Sequence, residues 1–110
     1  MSTKQLKLRI VTPERLVLEE MVDQVSLPTT LGEITVLPDH VPLITGLAAG
    51  DIVALAGGEH IPMAVAGGFV EIKWDLAAEA GENKVTNVAV LADFAEHVSE
   101  MTEQKIVKAK

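Results

Sequence analysis

The chain has no cysteine and no tyrosine, and among its 110 residues only Phe69, Phe94 and Trp74 are aromatic. Without cysteine there is no disulfide frame, no thiolate nucleophile and no cysteine zinc site. With so few aromatics, the core has to be built from Val, Leu, Ile and Ala. A hydrophobic content of 48% and a mean hydropathy of +0.30 are ample for one. No apolar run approaches the roughly 20 residues that a membrane-spanning helix requires. The opening Met1-Ser2-Thr3-Lys4-Gln5 lacks both an apolar signal core and an Arg-rich amphipathic transit segment. The chain is therefore expected to stay on the side of the membrane where it is made. At this length it reads as one domain with at most a small appendage.

Positive charge is the next scarcity. Nine Lys and Arg face sixteen Asp and Glu, for a net charge of −7. Lys4, Lys7, Arg9 and Arg15 make the first strand basic. From Leu16 to Ile72 there is no Lys or Arg, while Glu19, Glu20, Asp23, Glu33, Asp39, Asp51, Glu59 and Glu71 are acidic. Such a surface repels phosphate backbones, which argues against a nucleic-acid partner. It suits a basic protein partner, or simply solubility.

What is present reads as strands. Leu6, Leu8 and Ile10 alternate with Lys7 and Arg9, the period of a half-buried strand. Thr12-Pro13-Glu14-Arg15 is a turn. A second extended stretch runs from Leu16 to Leu27, and its acidic centre, Glu19-Glu20, marks a bulge or a change of sheet. Ile34-Thr35-Val36 is a short strand, and Val41 to Leu47 is another extended piece. Ile52 to Leu55 and Ile61 to Val65 flank a hairpin turn at Gly57-Gly58-Glu59. Phe69 to Trp74 and Val85 to Leu91 follow, separated by Leu76 to Asn83, which reads as a loose loop or one helical turn. At Asp93 the pattern changes. Asp93 is placed as an N-cap with Glu96 in a capping box, and Phe94, Val98 and Met101 share one helical face. The expected fold is mainly β: an antiparallel β-sandwich of about eight to ten short strands with one short C-terminal helix. Residues 1–92 form the sandwich and residues 93–110 begin a helical region.

The chemistry on offer is thin. Ser2, Ser26 and Ser99 lie in no strained elbow, and His40, His60 and His97 come from separate elements without metal-ligand spacing. No catalytic, metal or cofactor residue is assigned. Gly67-Gly68 lacks the Gly-Lys-Ser/Thr of a phosphate loop and reads as a bend or a close backbone approach. The most distinctive run is Gly32 to Leu47, in which Pro38 and Pro42 bracket Asp39-His40. Each proline fixes its own φ and biases its predecessor toward extended backbone. Asp39 and His40 are thus expected on a stiff, extended, presented loop, a shape suited to a fixed contact surface.

The run Gly32 to Leu47, followed by Ala49-Gly50-Asp51-Ile52, resembles the signature of the epsilon subunit of F-type ATP synthases. Ala66-Gly67-Gly68-Phe69-Val70-Glu71-Ile72 and Asn87-Val88-Ala89-Val90-Leu91-Ala92-Asp93 resemble that family's second and third motifs, in the family's order. The resemblance spans Leu6 to about Asp93. It implies a β-sandwich followed by a helical hairpin, and a non-catalytic rotor subunit of the central stalk. Such a subunit clamps the gamma subunit and rests on the c-ring, coupling ion flow to ATP synthesis. It implies a peripheral location on the cytoplasmic face of the bacterial plasma membrane, without insertion. Thr12, Pro38, Asp39, His40, Pro42 and Thr45 correspond to the gamma-facing surface, and Glu33 to the acidic position facing the c-ring.

Three departures stand out. Asp39 and Thr35 replace glycines common in the family, the connection before Asn87 is longer than usual, and the chain stops at Lys110, short of a full helical hairpin. Some family members hold ATP through an Ile/Leu-Asp-x-x-Arg-Ala motif. The nearest match, Val98-Ser99-Glu100-Met101-Thr102-Glu103, lacks its aspartate and its arginine, so ATP binding and strong ATPase inhibition are not expected. The alternative to a rotor subunit is a stand-alone β-sandwich binding or regulatory module on the same scaffold.

Overall fold

The computed structural model describes residues 4–76 and 84–97. Ten strands follow in chain order: β1 (Leu6–Val11), β2 (Leu16–Val22), β3 (Gln24–Thr29), β4 (Gly32–Val36), β5 (Leu43–Gly46), β6 (Gly50–Ala56), β7 (Glu59–Val65), β8 (Gly68–Leu76), β9 (Lys84–Ala92) and β10 (Ala95–His97). They form two five-stranded sheets: sheet I in the order β2-β1-β9-β8-β5 and sheet II in the order β10-β7-β6-β3-β4. The β-sandwich is as the alternating pattern predicts. In β1, Leu6, Leu8 and Ile10 are fully buried while Lys7 and Arg9 are exposed. The core is aliphatic apart from Met63: Val25, Leu27, Val36, Ile52, Val70, Ile72, Val88 and Val90 pack between the sheets. All three aromatics stay outside it, with Phe69, Phe94 and Trp74 exposed.

Four local expectations are refined. One ladder is parallel, β1 with β9, while every other pairing is antiparallel. β1 is already bonded to β2 on one side, and the open side is filled by a strand that returns from the far end of the chain. The long second stretch does change sheet, but at Asp23 rather than at Glu19-Glu20. There the Asp23 N–H donates to the Leu55 carbonyl (2.6 Å) and its carboxylate accepts from the Gly57 N–H (3.0 Å). Sheet II thus takes the backbone one residue after β2 ends. The register irregularity lies at Ile10/Val11, opposite Leu16 and Leu18, and Glu19 simply pairs with Arg9.

The helix expected to start at Asp93 or Phe94 does not start there. The Asp93 N–H donates to the Gly67 carbonyl (3.2 Å) and the Ala66 N–H to the Phe94 carbonyl (3.1 Å). Ala95–His97 then pairs with Val65 to Met63 as β10. Asp93 is a crossover between sheets, because the open edge of β7 offers bonds that a helix would leave unmade. The remainder of that helix and the Val98 to Glu103 segment lie outside the described residues, as does the core of the Leu76 to Asn83 connection. Two glycine readings hold. Gly57 and Gly58 both have positive φ (60° and 84°) between the paired residues Ala56 and Glu59, as a two-residue type I′ hairpin requires. Gly68 is a close backbone approach: a β-carbon there would lie 2.0 Å from the Leu91 carbonyl oxygen.

Candidate interaction surface

The Leu37 to Pro42 loop is a tight turn rather than an extended presenter. The His40 N–H donates to the Leu37 carbonyl (3.1 Å), Pro38 takes the first corner, and Asp39 takes the second with φ 73°. A proline followed by a left-handed residue is the arrangement of a type II turn. Asp is one of the few non-glycine residues that tolerates that conformation. Two further bonds tie the turn to sheet I from far along the chain. The Asp39 N–H donates to Oγ1 of the buried Thr86 on β9 (2.7 Å), and the Trp74 Nε1–H on β8 donates to the His40 carbonyl (2.8 Å). The Lys4 ammonium pairs with the Asp39 carboxylate (2.7 Å), and His40 Nδ1–H donates to the Val41 carbonyl (2.7 Å). The stiffness expected from the prolines is therefore supplied largely by Thr86 and Trp74. Neither was marked by sequence reasoning, since a threonine and a tryptophan in strands look like ordinary packing residues.

The loop feeds β5, the edge strand of sheet I, where Thr45 pairs with Val70 and Ile44 with Glu71. Val41 and Ile44 are exposed at 64% and 70%, an apolar rim along that edge. Across the outer face of sheet I, register places side chains in rows. The first row is Phe69, Leu91, Val11 and Leu16; the second is Glu71, Ala89, Arg9 and Glu19; the third is Lys73, Asn87, Lys7 and Met21. Thr12 follows the first row. It borders an apolar depression of about 520 Å³ formed with Val11, Pro13, Phe69 and Leu91. Phe69 and Leu91 are 63% and 53% exposed although both sit mid-sheet. Large apolar side chains side by side on an open face are the usual mark of a contact surface.

Thr12 and His40 therefore sit at opposite ends of sheet I, with Thr45 on its edge between them. The structure does not gather these residues into one spot, but all border the same sheet. Glu33 belongs to sheet II, exposed on edge strand β4 opposite Pro28. Its hairpin tip is ordered by Thr29, whose hydroxyl accepts from the Leu31 N–H (3.2 Å) and donates to the Gly32 carbonyl. Leu31 at the tip is 87% exposed. The Glu19 carboxyl is held below its ordinary pKa by its bond to the Lys7 ammonium (3.0 Å) and that charge, with a smaller contribution from Arg9. Among the described residues no helix is long and apolar enough to cross a membrane, and no group of His, Asp and Glu is disposed to hold a metal.

Residues 5–98 match the family described as ATP synthase, Delta/Epsilon chain, beta-sandwich domain. The chain is 42% identical over 106 residues to the ATP synthase epsilon chain of Dehalococcoides mccartyi, covering 96% of this chain and 68% of that one. It is also 42% identical over 107 residues to the epsilon chain of Nitratidesulfovibrio vulgaris, covering 97% and 72%. The chain belongs to the delta/epsilon-chain family of ATP synthases. Its fold is shared with a chain in the cryo-EM structure of the Euglena gracilis mitochondrial ATP synthase, described as OSCP/F1/c-ring in rotational state 1. The TM-score is 0.72 at 24% identity, over 96% of this chain and 61% of that one. A second likeness is to the Tetrahymena thermophila mitochondrial ATP synthase, central stalk and c-ring. There the TM-score is 0.60 at 13% identity, over 86% of this chain and 69% of the other. At such identities the two structures speak for the fold.

Proposed function

We propose that the chain is a central-stalk subunit of F-type ATP synthase, linking the gamma subunit to the c-ring so that ion translocation drives ATP synthesis elsewhere in the complex. It does this as a non-catalytic coupling piece, peripheral to the bacterial plasma membrane on its cytoplasmic face. In this reading the sandwich, through about His97, is the docking domain. The observation that carries the reading is the outer face of sheet I. Phe69, Leu91 and Val11 form an apolar row open to solvent, beside Thr12 and on the same sheet that anchors the His40 turn and Thr45. A pre-shaped turn and rigid strands lose little conformational freedom on association, which favours a durable contact under torque. The gamma subunit is assigned to sheet I: to its outer face beside Thr12, and to the end and edge that carry Pro38, Asp39, His40, Pro42 and Thr45. The c-ring is assigned to Glu33 on the separate β3–β4 hairpin.

Binding to purified gamma subunit tests the assignment. Phe69→Asp places a charge in the apolar row and is expected to raise the dissociation constant at least about 100-fold, the loss of a central anchor. His40→Glu is expected to weaken binding about tenfold by adding charge to the turn's rim. Both side chains are outside the core, so circular dichroism should remain that of the parent. Unchanged gamma affinity in two folded variants would refute the assignment of this face.

A further inference from the structure

The gap in positive charge between Leu16 and Ile72 acquires a spatial meaning in the fold. Sheet II is built from segments within that gap together with β10, so its strands contain no Lys or Arg at all, while they carry Glu33, Asp51, Glu59 and Glu96. Every cation in a strand belongs to sheet I. Lys7, Arg9 and Lys73 stand on its outer face around the short side chains of Asn87 and Ala89. The result is an open trough of about 510 Å³ along β9, walled by Lys7 and Arg9 on one side and by Glu71 and Lys73 on the other. Lys7 is already paired with Glu19. Neither Arg9 nor Lys73 forms an ion pair within 4.0 Å among the described residues. Arg9 stands across Ala89 from Glu71, and Lys73 across Asn87 from Lys7, so the two cations without an ion pair lie diagonally across a floor of small side chains.

We propose that this trough seats a carboxylate-bearing segment of the gamma subunit, which places its carboxylate between Arg9 and Lys73 and its apolar anchor over Phe69 and Leu91. The proposal rests on the reading that gamma covers this face, and adds the chemistry of the complementary surface. Arg9 is level with Ala89 and Lys73 with Asn87, so a carboxylate between them sits two to four residues along β9 from Leu91, roughly 7–13 Å at 3.3 Å per residue. The charge also sets orientation. The strands of sheet II carry four acidic residues and no cation, while those of sheet I carry four of each sign, so an acidic segment is steered away from sheet II and toward the cations of sheet I. Steering of this kind raises the rate of productive encounter more than it slows dissociation.

The experiment compares the chain with its Arg9→Glu/Lys73→Glu variant for association with purified gamma subunit. At about 0.02 M salt the variant is expected to associate at least about tenfold more slowly, and at about 0.5 M salt the two should agree within about twofold, because screening removes the steering. An equal rate at low salt overturns the proposal, and so does a deficit that persists at high salt. The Arg9→Gln/Lys73→Gln pair is read the same way and guards against misfolding of the reversal variant. If Phe69→Asp loses gamma while the charge variants bind like the parent, the trough assignment falls and the docking face stands. If the parent chain does not bind gamma, both fall. Salt-sensitive binding to phosphatidylglycerol vesicles with no change in gamma association would assign the trough to lipid headgroups and likewise overturn it.

Discussion

The glycine at Gly68 has a geometric reason. The residue sits at φ 124°, and a β-carbon would meet the Leu91 carbonyl oxygen at 2.0 Å and the Ala92 Cα at 2.9 Å. The neighbour is backbone within the β8–β9 ladder, so it cannot move aside without breaking pairing at Gly68↔Ala92 and Phe69↔Leu91. Gly68→Ala is expected to destabilise by more than about 3 kcal/mol and to lower the melting temperature by at least about 10 °C. Gly32→Ala is the control: φ is 118°, but nothing lies within 4 Å of the added atom. It should cost only the left-handed backbone penalty of about 1–2 kcal/mol. Thermal unfolding of both variants decides, and equal melting temperatures would refute the clash. The bend at Gly67-Gly68 was legible because a glycine pair inside an apolar strand has few other uses. Its severity was not, since the opposing carbonyl belongs to Leu91, far along the chain.

The Leu37 to Pro42 turn shows the same division at the scale of an element. Its prolines announce a rigid loop in the sequence, but the bonds that hold it come from β8 and β9. Thr86 is 1% exposed, and its hydroxyl accepts the Asp39 N–H. Thr86→Val keeps the volume and removes that acceptor from a partly buried N–H. The expected cost is about 1–3 kcal/mol in a denaturant titration, with faster hydrogen exchange at Asp39 and lower gamma affinity. Parent-like exchange at Asp39 would show that the prolines alone suffice. The C-terminal end of the sandwich failed for a related reason. Asp93 and Glu96 have the spacing of a capping box, and local pattern favoured a helix. The open edge of β7 and the bond from Ala66 to Phe94 decide for β10 instead. Local preference of about a kilocalorie per residue yields readily to such tertiary pairing.

For the molecule as a whole, charge is segregated by layer. Among the described residues, the cations lie on the strands of sheet I, at Lys4 and in the turn at Arg15, and the strands of sheet II carry only acidic charge. A nucleotide triphosphate would find its best electrostatic welcome in the Lys7–Arg9–Lys73 trough, yet Glu19 and Glu71 stand within the same row of the sheet. The Val98 to Glu103 run offers no arginine for planar, bidentate contact with phosphate. Isothermal calorimetry with ATP is therefore expected to give no binding tighter than about 1 mM, which corresponds to about −4 kcal/mol. Micromolar affinity would overturn this and would direct attention to the trough.

The sequence by itself determined what depends on near neighbours along the chain. Period-two alternation decided which face of β1 is buried, the dearth of aromatics decided an aliphatic core, and the ordered glycine and proline motifs carried the family. Tertiary structure alone decided what depends on distant partners. It made β1 and β9 parallel, put the change of sheet at Asp23, turned Ala95–His97 into a strand, and gathered Lys7, Arg9 and Lys73 around one trough. The physical reason is that side-chain direction in a strand is set by the backbone's own period. Strand partnership is set instead by which unpaired N–H and C=O groups remain when the two sheets close on a common core.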